Sequence, residues 1–188
     1  MSQSLQELLI PITTSPEVQK IFGNGSLRPL YSIIFNQAQM MNKGVIELER
    51  LLSKNEDANL LAPTLFSLTF CIELLLKAYI VSDHKEINSG TELKAKKISI
   101  VGHKYSELFD KISKPKQDKI LKALSTELAI PEFDKHTFKQ ILKAQACDNT
   151  FVEWRYVFEI SENMNTNLNL LLNLSNVLGK EFAGLNEC

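Results

Sequence analysis

Five polar residues stand in stretches of sequence otherwise built for burial. Glu73 and Lys77 interrupt CIELLLKAYI, His103 lies in VGHKYSELF, and Arg155 and Glu159 lie in FVEWRYVFE. A charge placed among apolar helices is costly unless an opposite charge or a hydrogen-bond donor meets it there. Glu73 and Lys77 are four residues apart, the spacing and order in which a helix brings carboxylate and ammonium together. The expected cluster is Glu73, Lys77, His103, Arg155, Tyr156 and Glu159, with Glu73 paired to Arg155 and His103 nearby as a hydrogen-bond partner. If the cluster is not buried, these residues form a solvated face; if it is buried, two roles fit it. It is a buried network that sets helix register, or a polar pocket that binds a ligand or works in acid–base chemistry, with His103, Arg155 and Glu159 as the catalytic candidates.

Other chemistries find less support. The histidines His84, His103 and His136 are far apart, with neither HExxH nor ExxH spacing, so no metal site is expected. No glycine-rich phosphate loop is present, and Gly23–Ser26 reads as a turn, so no cofactor is expected. Trp154, Tyr156 and Phe158 could offer a stacking surface for bases, although aromatic residues at this spacing also suit a core. Lys85, Lys94, Lys96, Lys97 and Lys104 cluster along one polar stretch. They read as a solvated loop or as phosphate contacts, the latter with Lys94, Lys96, Lys97 and Lys104.

The elements that must position these groups are helices. Apolar residues recur with a period near 3.6, and glycine is scarce, at 7 residues in 188. A first long helix is expected over 27–53, with Pro29 in its first turn. A second, over 62–82, is apolar nearly all round and belongs at the centre of a bundle. Residues 83–101 read as a long polar loop, with Lys96–Gly102 as a short strand or simply loop. Short helices follow: one after Gly102 with Tyr105, Leu108, Phe109 and Ile112 on one side, and one capped by Ser113 with Pro115 in its first turn. Another carries Phe133, Phe138, Ile141 and Leu142. Thr150–Glu153 matches a capping box, so either a new helix starts at Thr150 or the preceding one runs on to about Ile160, and a last helix covers 163–180. The reading is an all-α antiparallel bundle of four to five main helices plus short ones over 26–182. An N-terminal arm covers 1–25 and a tail 183–188.

The totals agree. The chain has 188 residues, 44% of them apolar and 23% charged, and a formal net charge of −1. That is one domain with enough apolar surface for a core and no global basic field. The odd cysteine count (Cys71, Cys147, Cys188) argues against a disulfide framework, and Cys71 reads as a small core residue. The N-terminus lacks a secretory pattern, and the longest uncharged apolar stretch, 58–72, is too short to span a bilayer. The expected location is therefore the cytoplasm.

Three segments together, SLTFCIELLLKAYI, GHKYSELFDKI and FVEWRYVFE, resemble the HEPN superfamily over about residues 32–178. The resemblance implies a helical bundle, often a homodimer, associated with RNA or nucleotides in prokaryotic defence, toxin–antitoxin or stress systems. Many members are metal-independent ribonucleases with an R-x(4–6)-H motif. This chain departs there: Arg155 is followed at those offsets by Ile160, Ser161 and Glu162. The expectation is a non-catalytic HEPN-like binding or assembly module. The alternatives are an endoribonuclease with an atypical site around His103, Arg155 and Glu159, and a structural partner of a neighbouring enzyme.

Overall fold

The computed structural model describes residues 28–55, 58–145, 147–155 and 166–185, with the backbone alone at 55, 58 and 153–155. These residues form eight helices and no strand: α1 (Leu30–Asn55), α2 (Leu61–Val81), α3 (Gly90–Ala95), α4 (Tyr105–Asp110), α5 (Lys114–Leu128), α6 (Lys135–Ala144), α7 (Thr150–Arg155) and α8 (Leu168–Ala183). The N-terminal arm lies outside them.

Helix α2 is the axis of the fold. Leu68, Ile72, Leu75 and Leu76 on it are fully enclosed, each burial contributing roughly 1.5–3 kcal/mol. By length and composition α2 could cross a membrane, yet 72% of its most apolar window is buried by the protein itself. Helix α1 starts directly after Pro29 and packs along α2. The two run antiparallel: the amide of Leu30, at the start of α1, bonds the carbonyl of Ile87 just past the end of α2, while Ala38 faces Cys71 near its middle. Helix α8 lies against both. Phe35 stacks on Phe182 and Ser175 reaches Asn42, so α8 is antiparallel to α1. Cys71 meets Ser175, and the Tyr79 hydroxyl donates to the Leu178 carbonyl at 3.0 Å, so α8 is parallel to α2. Helix α5 closes the bundle against α8, with Lys119 paired to Glu181 at 3.1 Å.

Where α1, α2 and α8 converge, small residues allow close approach. The Cys71 thiol donates to the Ala38 carbonyl at 3.3 Å, sits 3.5 Å from the Ser175 hydroxyl, and has no solvent exposure. Burial pushes that thiol above its ordinary range.

The helices differ from expectation in three places. The stretch 83–101 is not all loop. Helix α3 forms within it, started by Ser89, whose side chain accepts from the Glu92 amide, while Glu92 reaches back to the Asn88 amide at 2.9 Å. It buries Leu93. Of the two expectations for residues 96–102, strand or loop, the structure shows loop, and Lys97 takes a left-handed conformation (φ 57°) that breaks an extended run. Ser113 precedes α5, but its hydroxyl donates to Asp83 at 2.9 Å instead of capping the helix. Asp83 also takes the Ser113 amide and the Lys116 ammonium, tying the end of α2 to the start of α5. At the other end, α8 runs to Ala183, beyond the expected start of a tail.

Candidate functional site

Phe66, Phe70, Glu73 and Lys77 fall on one stripe of α2, at successive helical turns. The Glu73 carboxylate is almost wholly buried, its side chain 3% exposed. Lys77, 17% exposed, donates to its Oε1 at 2.5 Å. His103 bridges to Oε2 through Nδ1 at 2.9 Å, and its own side chain is 45% exposed. An ionised carboxylate can only accept, so Nδ1 carries the proton and Nε2 points away from Glu73.

The chain around His103 is held from four sides. Gly102 takes φ +117°, open to glycine and strained for any other residue, and turns the backbone before the histidine. Lys111 donates to the Val101 carbonyl at 2.6 Å. Two residues after His103, the buried Tyr105 donates its hydroxyl to the Thr69 carbonyl at 2.9 Å, one turn before Glu73 on α2. Burial, and then the nearby Glu73 charge, raises the Tyr105 phenol well above its usual range, so it remains a donor. The fourth anchor is Asp148, in the turn before α7. Its carboxylate accepts from the Ser106 amide and hydroxyl, each at 2.7 Å, and its carbonyl accepts from the Tyr105 amide. Asp148 thereby supplies from outside the cap that α4 lacks at its own start.

Asp148 also delivers α7 to the site. Phe151 packs its ring against Phe66, Phe70 and His103, with centroids 5.7, 5.3 and 5.4 Å away. The result is an ionic base, buried Glu73 with the mostly enclosed Lys77, beside a more open rim of His103 and aromatic rings.

Glu73, Lys77 and His103 thus come together as one cluster. Arg155 lies on α7 one turn after Phe151, but its side chain is outside the described residues, as are Tyr156 and Glu159 entirely. The Glu73–Arg155 pair therefore falls outside what the structure describes, and so does the stacking surface of Trp154, Tyr156 and Phe158. Each described carboxylate oxygen of Glu73 already has a donor. The lysines do not form one patch of uncommitted charge. Lys96 pairs with Glu86 at 2.5 Å, holding that carboxyl below its usual range, and Lys104 pairs with Glu107 at 3.3 Å. Lys94 and Lys97 are exposed on and just after α3.

Sequence reasoning did not single out Phe66, Phe70, Phe151 or Asp148 for the site. The three rings look like core residues in the sequence, and only the coverage of α2 distinguishes them. Among the described residues, no group of three His, Cys, Asp or Glu side chains is placed to hold a metal ion. Every buried side-chain nitrogen or oxygen among them has a hydrogen-bond partner. Compared with known proteins, the chain matches no family model, no curated protein and no solved structure.

Proposed function

We propose that the protein is a non-catalytic HEPN-like binding or assembly module that meets RNA or a nucleotide at the rim formed by His103. The observation that carries this reading is the contrast within one hydrogen bond. Glu73 is 3% exposed and fixed by Lys77, whereas the imidazole it orients is 45% exposed. A pre-oriented imidazole at a surface suits an anionic or hydrogen-bonding ligand, because little rotamer freedom is lost on binding. On this reading the protein acts in the cytoplasm as a homodimer, in a bacterial defence, toxin–antitoxin or stress setting, and needs no cofactor.

The test is a fluorescence-anisotropy titration of labelled single-stranded RNA with wild type and His103→Ala, the RNA being recovered on a gel afterwards. The expected result is binding that weakens about ten-fold in His103→Ala, the scale of one hydrogen bond to a charged group, with the RNA intact. Absence of binding by wild type would sink the reading.

One observation favours a second reading, a metal-independent endoribonuclease. An imidazole held by a carboxylate is how a general acid–base is commonly oriented. Cleaved RNA on the same gel, lost in His103→Ala and in Arg155→Ala while both variants stay folded, would establish this second reading and displace the first.

A further inference from the structure

The rings at the rim are oriented differently from most of those in the core. Around Phe151, the planes of Phe70, His103 and Phe66 lie 24°, 30° and 35° from its own. Core rings mostly cross at steeper angles: 53° for Phe109 with Phe138, 59° for Phe133 with Phe138, and 89° for Tyr79 with Phe182. Among the described residues, Phe35 on Phe182, at 27°, resembles the rim. Phe70 stacks on Phe151 while His103 and Phe66 are tilted on it, and none of these three pairs crosses edge to face. Three of the four rim rings reach solvent, Phe70 only in part and two of them more fully. Phe66 is 39% exposed and the His103 side chain 45%. Phe66 is thus a large apolar ring left on the surface of α2 in contact with Phe151, which also carries the oriented imidazole.

Resting on the reading above, we infer that this array is a stacking site for unpaired bases of single-stranded RNA, with Phe66 and His103 as the two exposed platforms. Stacking on flat faces requires bases that are not already enclosed in a duplex, and it tolerates any base because each has a π-face. The ionic base beneath the array contributes by fixing one platform: Glu73 sets the imidazole plane through Nδ1. Lys104, next in sequence, is held partly by Glu107. The site therefore reads base faces first and the phosphate backbone second, which predicts preference for single strands with little sequence selectivity.

The experiment titrates the full chain against three fluorescein-labelled probes of about 12 nucleotides, within the usual reach of such sites. The probes are a single-stranded oligouridine RNA, an abasic strand of equal length and a blunt RNA duplex. The expected result is binding of the oligouridine, with the abasic strand and the duplex weaker by about ten-fold or more. Phe66→Ala should lose about as much for the oligouridine, and Phe66→Tyr should restore it. Ile46→Ala, an exposed apolar residue on α1, should bind as wild type does. The inference is overturned if the abasic strand binds as well as the oligouridine, or if Phe66→Ala binds unchanged. In either case a loss in His103→Ala would leave the proposed function standing on backbone contacts alone. If wild type binds none of the three probes, both fall. Melting curves of Phe66→Ala and Phe66→Tyr establish that each is folded. The abasic comparison on wild-type protein decides the matter without any substitution.

Discussion

Glu73 is shut away from water while its two partners are not, and this asymmetry orders what their removal does. Lys77→Met strands a carboxylate that is 3% exposed, with only an imidazole to meet it, and should cost about 3–5 kcal/mol. Glu73→Gln leaves Lys77 and His103, both of which can turn toward solvent, and should cost less, about 1–2 kcal/mol. Urea denaturation of the two variants checks the order, and a Glu73→Gln change larger than that of Lys77→Met would contradict it. Glu73, Lys77 and His103 were legible in the sequence, because a Glu, a Lys and a His set into apolar runs are conspicuous against their neighbours, whereas the expected pairing of Glu73 with Arg155 lies outside the described residues. The aromatic rim was not. Phe66 and Phe70 have the same appearance in the sequence as Leu68 and Ile72, two buried residues on the same helix. Which of them stays uncovered depends on where α7 lands, a long-range outcome that periodicity along α2 does not encode.

Between elements, single carboxylates do much of the joining, and each join makes a measurable claim. Asp148 holds the turn before α7 to the first residues of α4, so Asp148→Ala should cost about 1–2 kcal/mol, as loss of a helix cap does. It should also loosen Phe151 and His103 together. The paired readout is a calorimetric melt and the RNA affinity of the same variant; a lower melting temperature with unchanged affinity would separate the clamp from the rim. Asp110, at the end of α4, is gripped by Lys135 and Lys139 of α6 at 2.7 and 2.6 Å. Burial alone would raise its carboxyl, and the two lysines more than offset that, leaving it below the usual range. Its contribution is therefore full above the unfolded-state value, near pH 4, and is lost as pH falls through the lower folded-state value. Asp110→Asn should destabilise by less than about 1 kcal/mol at pH 7, since the groups are more than a third exposed, and by nothing near about pH 2. Urea midpoints at the two pH values test this. The long helices could be read from their period. Helix α3 was harder, being six residues with one buried side chain, although Ser89-Gly-Thr-Glu92 carries the capping-box spacing that starts it. Ser113 shows the reverse case: the right residue for a cap, drawn away by Asp83 from across the fold.

At the scale of the whole molecule, four long helices share one interior, and the apolar pattern announced that much in advance. The pattern could not announce that α8 lies parallel to α2, because it marks which face is buried and not which neighbour covers it. The meeting point of α1, α2 and α8 has a practical consequence. The sulfur of Cys71 is enclosed in the seam between these helices and burial favours its protonated form, so an alkylating or disulfide-forming reagent can reach it only when the helices separate. Cys147 is equally enclosed, but in the turn ahead of α7, where its sulfur bonds the Gln145 carbonyl at 3.2 Å. In a Cys188→Ser background these two thiols become independent clocks, one for rupture of the whole bundle and one for detachment of its edge. Labelling followed by mass spectrometry should find Cys147 modified first. Leu76→Ala, which opens a cavity in the central helix and costs about 2–5 kcal/mol, should accelerate Cys71 far more than Asp148→Ala does.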